Sequence, residues 1–402
     1  MKISKYLIYF LPAALVSGPL LSEIIIIFVS INFLYVSFKN NLFKYYQNTF
    51  TKFFFLFYFV INISSLFSPD RLYSLQTSIP YCRFYFFIIA FSYFIKNEKY
   101  FLKNLYYILL VVLSVVAMSG FLEFLFNINF SINPAFIKEP HRLSGFFGSE
   151  LIIGSYLSRL LPLLLILAIV LKKDNSFFSS LIIFFFFVIF LSGERTSLFF
   201  GLITLISYIF YSYRPLFHKF ILLAIVILIA FYFVSTNYNI RNRIILETKD
   251  QIYNDNKIFF FSPEHTSHYK AAVKMFIDKP LLGHGPKTFR INCQKPMYYE
   301  NIHSCATHPH NFLLQLLAEV GIFGFFIVFL FFYFLIFYLK KINKKFYSMS
   351  FYYLPLIIFT FPFLPNGNFF NNWLSMVSYL SISLSIYLLF IKNEKNKNSA
   401  RI

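Results

Sequence analysis

The stretch FFSSLIIFFFFVIFLSGERTSLFFG, residues 177–201, joins two apolar runs through a short turn that holds Glu194 and Arg195. Runs this long and this apolar are typical of helices that cross a bilayer. The rest of the chain has the same character, since 58% of its 402 residues are hydrophobic, only 13% are charged and the mean hydropathy is +0.65. We conclude that the chain cannot fold around a water-soluble core and that the bilayer is its solvent.

Similar apolar segments recur along the chain. They occur around Leu7, Ile24, Phe53, Phe84, Leu105, Leu151, Phe177, Ser197, Phe220, Phe312, Phe351 and Leu374. The sequence therefore predicts an all-α membrane protein, a polytopic bundle of about twelve transmembrane helices with one large extracytoplasmic loop that contains an amphipathic helix. The first stretch, Leu7 to Leu21, shows no small-residue cleavage site, so we interpret it as a retained helix rather than a signal peptide.

Lysine and arginine cluster in every second connection between the apolar segments, for example at Lys172 and Lys173 or at Arg214 and Lys219. The short connections between those clusters contain little lysine. By the positive-inside rule, both termini are predicted to lie in the cytoplasm. The formal net charge of +20 therefore reflects topology, and we expect no nucleic-acid partner.

This topology divides the chain into four parts. They are residues 1–236 with nine transmembrane helices, residues 237–309 as a large periplasmic loop, residues 310–391 with three further helices, and residues 392–402 as a cytoplasmic tail.

The large loop is the longest polar stretch, and six of the eight histidines lie between Asn237 and Asn311. Ser262 and Pro263 have the pattern of a helix start, with serine as the cap and proline at the first helical position. Apolar residues then follow at helical spacing until Lys279 and Pro280. They are Tyr269, Ala272, Val273, Phe276 and Ile277. We expect an amphipathic helix that lies on the membrane or on the helix bundle.

Two cysteines of the loop, Cys293 and Cys305, have three possible states. They form a disulfide in an oxidising compartment, they bind zinc together with His308 and His310, or they remain reduced. The nearby Pro286-Lys287-Thr288 is a poor match to a phosphate-binding loop of the Walker type, because the glycine before the lysine is missing and no strand precedes it.

His310 lies where the loop enters an apolar helix, and an imidazole near its unperturbed pKa accepts a proton from a hydroxyl at neutral pH. It is the best candidate for a general base. Counted at 100° per residue, Gly321 and Gly324 lie on nearly the same helix face, a small-residue track that suits a lipid chain or a close helix. Glu319 points roughly the other way, which favours a buried hydrogen-bond link.

Arginines at membrane depth are costly and are functional candidates for that reason. Arg159 lies inside an apolar segment, and Arg195 lies in the turn quoted above. A guanidinium at the membrane boundary suits a lipid-linked phosphate or pyrophosphate, because its planar fork matches phosphate oxygens. The alternative is an arginine that reaches lipid headgroups or pairs with Glu194.

Several motifs together resemble the bacterial O-antigen ligase and O-antigen polymerase family. They are RLSGFFG at 142–148, SGERT at 192–196, GHGPKTFR at 283–290, HPHN at 308–311 and LQLLAEVG at 314–321. The resemblance implies a multi-spanning glycosyltransferase of the inner membrane, with its active site facing the periplasm. Such an enzyme takes a glycan from undecaprenyl pyrophosphate and gives it to lipid A core (ligase) or to a lipid-linked repeat (polymerase). It implies no cofactor and no metal.

By resemblance, His310 deprotonates the acceptor hydroxyl, which attacks the anomeric carbon with inversion, while Arg195 holds the pyrophosphate. Many members carry an arginine near the start of the loop helix, where this chain has His265 and His268. Further pyrophosphate or substrate contacts are therefore assigned to Arg290, His268, His265, Arg142 and Asn311. Structural roles are assigned to Cys293, Cys305, Glu319 and Gly321.

Two other classes of protein remain open. A transporter or flippase of lipid-linked sugars predicts charges along a central cavity, but here the ionisable residues concentrate in one loop and one turn, which favours an enzyme. A non-catalytic membrane scaffold would leave the loop histidines without a task. Membrane lipids are partners in every case.

Overall fold

The computed structural model describes residues 1–128, 130, 142–173, 175–211, 215–254, 257–258, 261–341 and 350–391. The α-helices in this part of the chain are α1 (Lys2–Ala14), α2 (Pro19–Lys39), α3 (Thr49–Leu66), α4 (Arg71–Ser78), α5 (Cys82–Asn97), α6 (Phe101–Phe126), α7 (Ile153–Val170), α8 (Ser176–Leu191), α9 (Arg195–Tyr211), α10 (Leu216–Thr236), α11 (Tyr238–Arg241), α12 (Glu247–Ile252), α13 (Pro263–Asp278), α14 (Phe289–Asn292), α15 (Phe312–Lys341), α16 (Leu354–Phe359) and α17 (Asn372–Ile386). The strands are β1 (Tyr253–Asn254) and β2 (Lys257–Ile258), paired antiparallel.

Within the described residues, eight helical segments are long and apolar enough to cross a membrane. They are Pro19–Lys39, Thr49–Leu66, Arg71–Asn97, Phe101–Phe126, Ile153–Val170, Lys219–Thr236, Phe312–Phe334 and Asn372–Ile391. Two shorter apolar helices, α8 and α9, accompany them. The protein is therefore a multi-pass helical membrane protein, and the predicted total of about twelve spans stays a prediction.

The two remaining apolar segments of the sequence form shorter helices than we predicted. The segment around Phe351 forms a 3-10 turn and the six-residue α16. The run from Leu7 to Leu21 is split, because α1 ends at Ala14 and α2 begins at Pro19. Gly18 takes a φ of 113°, which glycine adopts easily, and proline is favoured at the first position of the new helix. The predicted cytoplasmic tail, 392–402, lies outside the described residues.

The degree of burial separates inner helices from outer ones. Ile153–Val170 and Asn372–Ile391 are 83% and 94% buried, whereas only 6% of Lys219–Thr236 is buried. Helices α7 and α17 therefore form the centre of the bundle. Helix α10 stands at its edge, where its apolar side chains meet the bilayer.

The predicted loop helix is present as α13, and Ser262 caps it by accepting a hydrogen bond from the backbone N–H of His265 at 3.3 Å. Its last helical residue, Asp278, directly precedes the predicted end. The buried face differs from our prediction, because Val273 and Ile277 are exposed. The buried residues are Ser267, His268, Ala271, Ala272 and Met275. They pack on α15, so the helix is oriented by the bundle rather than by lipid.

The loop segment Pro280–Gly285 is joined to α15 by main-chain hydrogen bonds. The backbone N–H of Gly285 donates to the carbonyl of Glu319 at 2.8 Å, and that of His284 donates to Ala318 at 3.0 Å. In the other direction, the N–H of Ile322 donates to Pro280 at 2.8 Å. Helix α15 is broken at this point, since Gly321 has φ 68° and ψ −169°.

The break changes the interpretation of Gly321 and Glu319. Because α15 begins only at Phe312 and is interrupted at Gly321, counting 100° per residue from His310 does not hold there. Gly321 lies against Leu281 rather than on a small-residue track. Glu319 is fully buried and accepts a hydrogen bond from the Phe289 N–H at 3.0 Å, so it links α15 to the loop as a buried hydrogen-bond partner.

We expect Gly321→Ala to destabilise the protein by about 2 kcal/mol, because an L-residue at positive φ is strained by roughly that amount and the new methyl group would collide with Leu281. The measurement is the temperature at which half of the detergent-solubilised protein stays monodisperse. Gly201→Ala is the control, since Gly201 has no positive φ and a methyl group there meets only side chains, of Ile189 and Phe186, at 3.3 Å or more. Equal losses in both variants would contradict the role of the break.

Candidate active site

His310 occupies the junction between the loop and α15. Its φ of 56° is in the left-handed region, and its carbonyl accepts a hydrogen bond from the backbone N–H of Asn366 at 2.8 Å. The next residue, Asn311, caps α15 by accepting from the N–H groups of Leu313 and Leu314 at 3.0 and 3.1 Å. The amide of Asn311 donates to Pro362 at 2.9 Å, so its hydrogen bonds go to the protein itself.

Four imidazoles converge at this junction. The ring centroid of His310 lies 4.0 Å from that of His308, 5.3 Å from that of His265 and 5.4 Å from that of His268. Helix α13 supplies the last two, and its packing on α15 brings them there. Three of these residues are site candidates from the sequence, whereas His308 was considered only as a possible zinc ligand.

Burial keeps the imidazoles of this cluster uncharged at neutral pH. It is the main reason that the pKa of His310 is lowered to about 3 and that of His308 to about 4; the neighbouring imidazoles oppose protonation of both rings, and Arg290 also opposes that of His308. The pKa values of His265 and His268 are also lowered, again chiefly by burial. Our expectation of an unperturbed pKa for His310 is therefore wrong, although its ring still has the neutral form that accepts a proton.

Asn366 connects the cluster to the centre of the bundle. Its carbonyl accepts a hydrogen bond from Nε2 of His308 at 3.0 Å, and its side-chain oxygen accepts from Nη2 of Arg159 at 2.8 Å. The buried Arg159 thus supports the histidines through Asn366. The sequence offered one signal for Asn366, its place in the polar run Asn366-Gly367-Asn368 between apolar segments.

Arg195 begins α9 and lies at the same end of the bundle as His310. Thr196, its neighbour, donates to the carbonyl of Pro365 at 2.8 Å, and Pro365 directly precedes the residue that anchors His310. The guanidinium of Arg195 forms an ion pair with Glu247 at 3.2 Å. Its charge also contributes to the lowered pKa of His265, which places the two side chains within electrostatic range.

Arg290, in α14, is a second arginine within electrostatic range of the histidine cluster. Its charge contributes to the lowered pKa values of His308 and Lys287. Its Nε is buried and makes no hydrogen bond within the described residues. A cation with unused donors beside a neutral imidazole suits an anionic ligand.

Arg142 lies near Arg195 rather than near the histidines. It donates to the carbonyl of Leu151 at 2.7 Å, and it is within electrostatic range of both Glu194 and Arg195. The structure therefore places Arg142 near the turn that contains Glu194 and Arg195.

Cys293 and Cys305 form a disulfide, with Cα atoms 5.3 Å apart. The bond consumes both thiolates that the zinc alternative needs. Among the described residues, no group of three or more His, Cys, Asp or Glu side chains is placed to hold a metal ion.

Replacing Asn366 by Ala leaves the buried Arg159 guanidinium without this acceptor, and we expect a loss of about 2 kcal/mol. Asn366→Asp retains an oxygen acceptor and should keep most of the stability. The measurement is again survival of monodisperse protein on heating. Identical behaviour of the two variants would show that the hydrogen bond to Arg159 does not matter.

Removing the disulfide with Cys293→Ser and Cys305→Ser should lower the free energy of unfolding of the loop by about 3 kcal/mol, since the bond closes a short loop in the unfolded chain. Proteolysis in increasing urea measures this change. Cys82→Ser, at the free cysteine, is the matched control and should have no effect on loop cleavage. A disulfide-free loop as resistant as the wild type would refute the expectation.

Comparison with known proteins is consistent with this geometry. Residues 180–329 match a protein-family model described as O-antigen ligase. The matched segment runs from α8 into α15 and contains Arg195, Arg290, His310 and the whole histidine cluster. No curated protein matches the chain. The match agrees with the family resemblance of the motifs, and the segment 180–329 is similar to O-antigen ligases.

Proposed function

We propose that the protein is a glycosyltransferase that moves an O-antigen or related surface glycan from undecaprenyl pyrophosphate to an acceptor hydroxyl of lipid A core. One observation carries the proposal: the neutral imidazole of His310 lies in a histidine cluster that is within electrostatic range of Arg195 and Arg290, in the segment that matches the O-antigen ligase model. Members of this family are glycosyltransferase-like enzymes. A proton acceptor next to fixed cations is the arrangement that transfer from a pyrophosphate requires.

The site faces the periplasm in this proposal. The turn at Glu194 and the loop that holds the histidine cluster lie at one end of the bundle, because Arg195 bonds to Gln251 and Arg243 bonds to Gly193. The connections at the other end contain the lysine clusters. The positive-inside rule then puts the histidines outside the inner membrane of a bacterium.

In the proposed reaction, Nδ1 or Nε2 of His310 takes the proton of the acceptor hydroxyl. The oxygen attacks the anomeric carbon as the bond from that carbon to the pyrophosphate oxygen breaks, and the electron pair leaves with undecaprenyl pyrophosphate. Attack from the opposite face inverts the anomeric centre. Arg195 and Arg290 stabilise the leaving group, so no metal is assigned.

Binding of the donor makes His310 a stronger base. In the free protein its pKa is lowered by burial and then by His308, His265 and His268. A bound pyrophosphate places negative charge near the imidazole, which favours the protonated form and raises the pKa. The site therefore accepts a proton most readily when the donor is in place.

Arg290 is the better candidate for the second pyrophosphate contact. His265 and His268 replace the arginine that many family members carry, but burial lowers both of their pKa values. Uncharged imidazoles bind an anion weakly at neutral pH. Arg290 stays charged, and its buried Nε is unused within the described residues.

The alternative is an O-antigen polymerase, which joins lipid-linked repeats with the same base and the same leaving group. No feature of the site favours one acceptor over the other. A transporter is disfavoured by the position of the ionisable residues, since the histidines and arginines of the site gather at one end of the bundle.

Exchanging His310 for Ala should reduce glycan transfer by about 10²–10⁴-fold, the usual contribution of a general base. His303→Ala is the control, because this histidine is exposed in the same loop. Transfer is measured with purified protein and a lipid-linked glycan in vesicles. Full activity of the His310 variant, at equal protein levels, would remove the base from the proposal and leave a scaffold as the better description.

Deleting the protein and separating lipopolysaccharide by electrophoresis distinguishes the two acceptors. Loss of a ligase leaves bare core with polymer on its lipid carrier, whereas loss of a polymerase leaves core with one repeat. An unchanged profile would argue for another surface glycan or for transport.

We expect Arg290→Ala to reduce transfer by about 10²–10³-fold and His265→Ala or His268→Ala by less than about tenfold, because only the arginine is charged at neutral pH. The pKa values of His265 and His268 are lowered, so both rings become protonated only at a lower pH than an ordinary histidine does. Transfer should therefore not accelerate between pH 7.5 and about 6.5. Initial rates across this range provide the measurement. An acceleration that disappears in the double histidine variant would assign the contact to the histidines.

A further inference from the structure

Helix α13 has an outward, apolar face that is exposed within the described part of the chain. Its packing on α15 buries the other face, which includes His268 and Met275. On the outward face, Val273 is 41% exposed and Ile277 is 69% exposed, and the two residues are one helical turn apart. Leu281, three residues beyond the helix, is 58% exposed. The packing that sets the rotation of α13 thus leaves an apolar surface on its far side.

The exposed surface of α15 begins where its contact with the loop ends. None of the residues from Phe312 to Val320 is exposed, because α13 and the neighbouring helices cover this part of α15. Beyond the break, Phe323, Phe326 and Phe329 are exposed, as expected for the bilayer-facing side of a membrane-spanning helix. Helix α13 therefore covers the part of α15 that precedes this bilayer-facing side.

The main chain at Leu281 joins the two surfaces. The carbonyl of Leu281 accepts a hydrogen bond from the N–H of Phe323 at 3.4 Å, and the carbonyl of Pro280 accepts from the N–H of Ile322 at 2.8 Å. The apolar surface of the loop is consequently continuous with the bilayer-facing side of α15.

The end of α3 extends this surface. Leu66 and Phe67 are exposed there. Ser64, one turn earlier on the same helix, donates a hydrogen bond to the carbonyl of Leu282. The exposed apolar side chains of three elements thus lie around the exit of α13.

The opposite end of the outward face carries charge. The ammonium groups of Lys270 and Lys274 lie 3.3 and 3.1 Å from the carboxylate of Glu300, which leaves an excess of one positive charge. Helix α13 is therefore polar near its start and apolar near its end. This distribution suits a helix whose apolar residues enter the acyl region while its lysines stay at the level of the lipid headgroups.

We propose that the outward face of α13, together with Leu281 and the end of α3, is a lipid-binding surface that inserts into the adjacent leaflet of the bilayer. Its continuity with the bilayer-facing side of α15 identifies lipid as the occupant rather than a second protein. Helix α13 is then held between α15 and lipid, so the helix that carries His265 and His268 is attached to the membrane surface. The inference does not depend on the reaction that the site performs.

Tryptophan fluorescence tests this contact. Ile277→Trp and Val273→Trp each add one indole to the full-length protein, whose only tryptophan is Trp373. Using two positions keeps the test decisive if one variant folds poorly. Ile302→Trp is the matched control, because Ile302 is exposed in the same loop but lies next to Asn301 and Glu300, at the charged end of α13. Each variant is reconstituted into nanodiscs of phosphatidylcholine with or without bromine on the acyl chains, which quenches indoles that it contacts.

We expect Ile277→Trp to lose at least about half of its added fluorescence in the brominated nanodiscs, because apolar residues of such helices reach about 5–10 Å into the boundary between headgroups and acyl chains. Val273→Trp, closer to the lysines, should be quenched less, and Ile302→Trp should not be quenched. The wild-type signal from Trp373 is subtracted in each case.

An absence of quenching at both α13 positions would overturn the inference. Equal quenching of Ile302→Trp would overturn it as well, because the lipid contact would then not be confined to this face. An indole on α13 that is shielded from aqueous iodide but not quenched by brominated lipid would identify a protein as the occupant and would also refute the proposal. Quenching on α13 with an unaffected control supports the lipid-binding surface.

Discussion

The main-chain hydrogen bonds between Pro280–Gly285 and the broken helix α15 hold the site together. Backbone groups at membrane depth need partners, and an interrupted helix leaves several without one. Here the loop supplies them, through the bonds to Ala318, Glu319 and Ile322. The loop is consequently fixed to the bundle by backbone hydrogen bonds, which do not depend on the identity of its side chains. Helix α13 then packs on α15 and carries His265 and His268 to His310.

The electrostatic character of the site follows from the same packing. The imidazoles of His310 and His308 are buried and have little contact with water. Their pKa values are lowered because burial disfavours the charged form, so the rings remain neutral. Arginines keep their charge under these conditions, and Arg195 and Arg290 lie within electrostatic range of the histidines. The protein thus separates two tasks, proton acceptance by imidazole and anion stabilisation by guanidinium. Neither task requires a side chain that changes its charge before the substrates arrive.

Local patterns predicted local structure well. The serine cap and Pro263 predicted the start of α13, and the apolar runs predicted a multi-pass helical protein. The disulfide was one of three states that the spacing of the cysteines allowed. The motifs between Arg142 and Gly321 pointed to the family that the comparison confirmed.

Features that depend on distant partners could not be predicted from the sequence. The packing of α13 on α15 determines which face of α13 is buried. Val273 and Ile277 are therefore exposed, although both are apolar and lie at helical spacing. Counting along α15 assumed an unbroken helix and therefore misplaced Gly321. Asn366 is adjacent to the histidines only because the chain returns there, far along the sequence. The pKa of His310 depends on burial by several elements, which no single stretch reveals.

A structure of the full-length protein in a nanodisc with undecaprenyl pyrophosphate bound tests the central claim most directly. We expect the pyrophosphate to lie at the loop end of the bundle, in contact with the guanidinium groups of Arg195 and Arg290, with the His310 imidazole facing the position of the transferred sugar. A pyrophosphate at the opposite, lysine-rich end, or one that none of these side chains approaches, would contradict it.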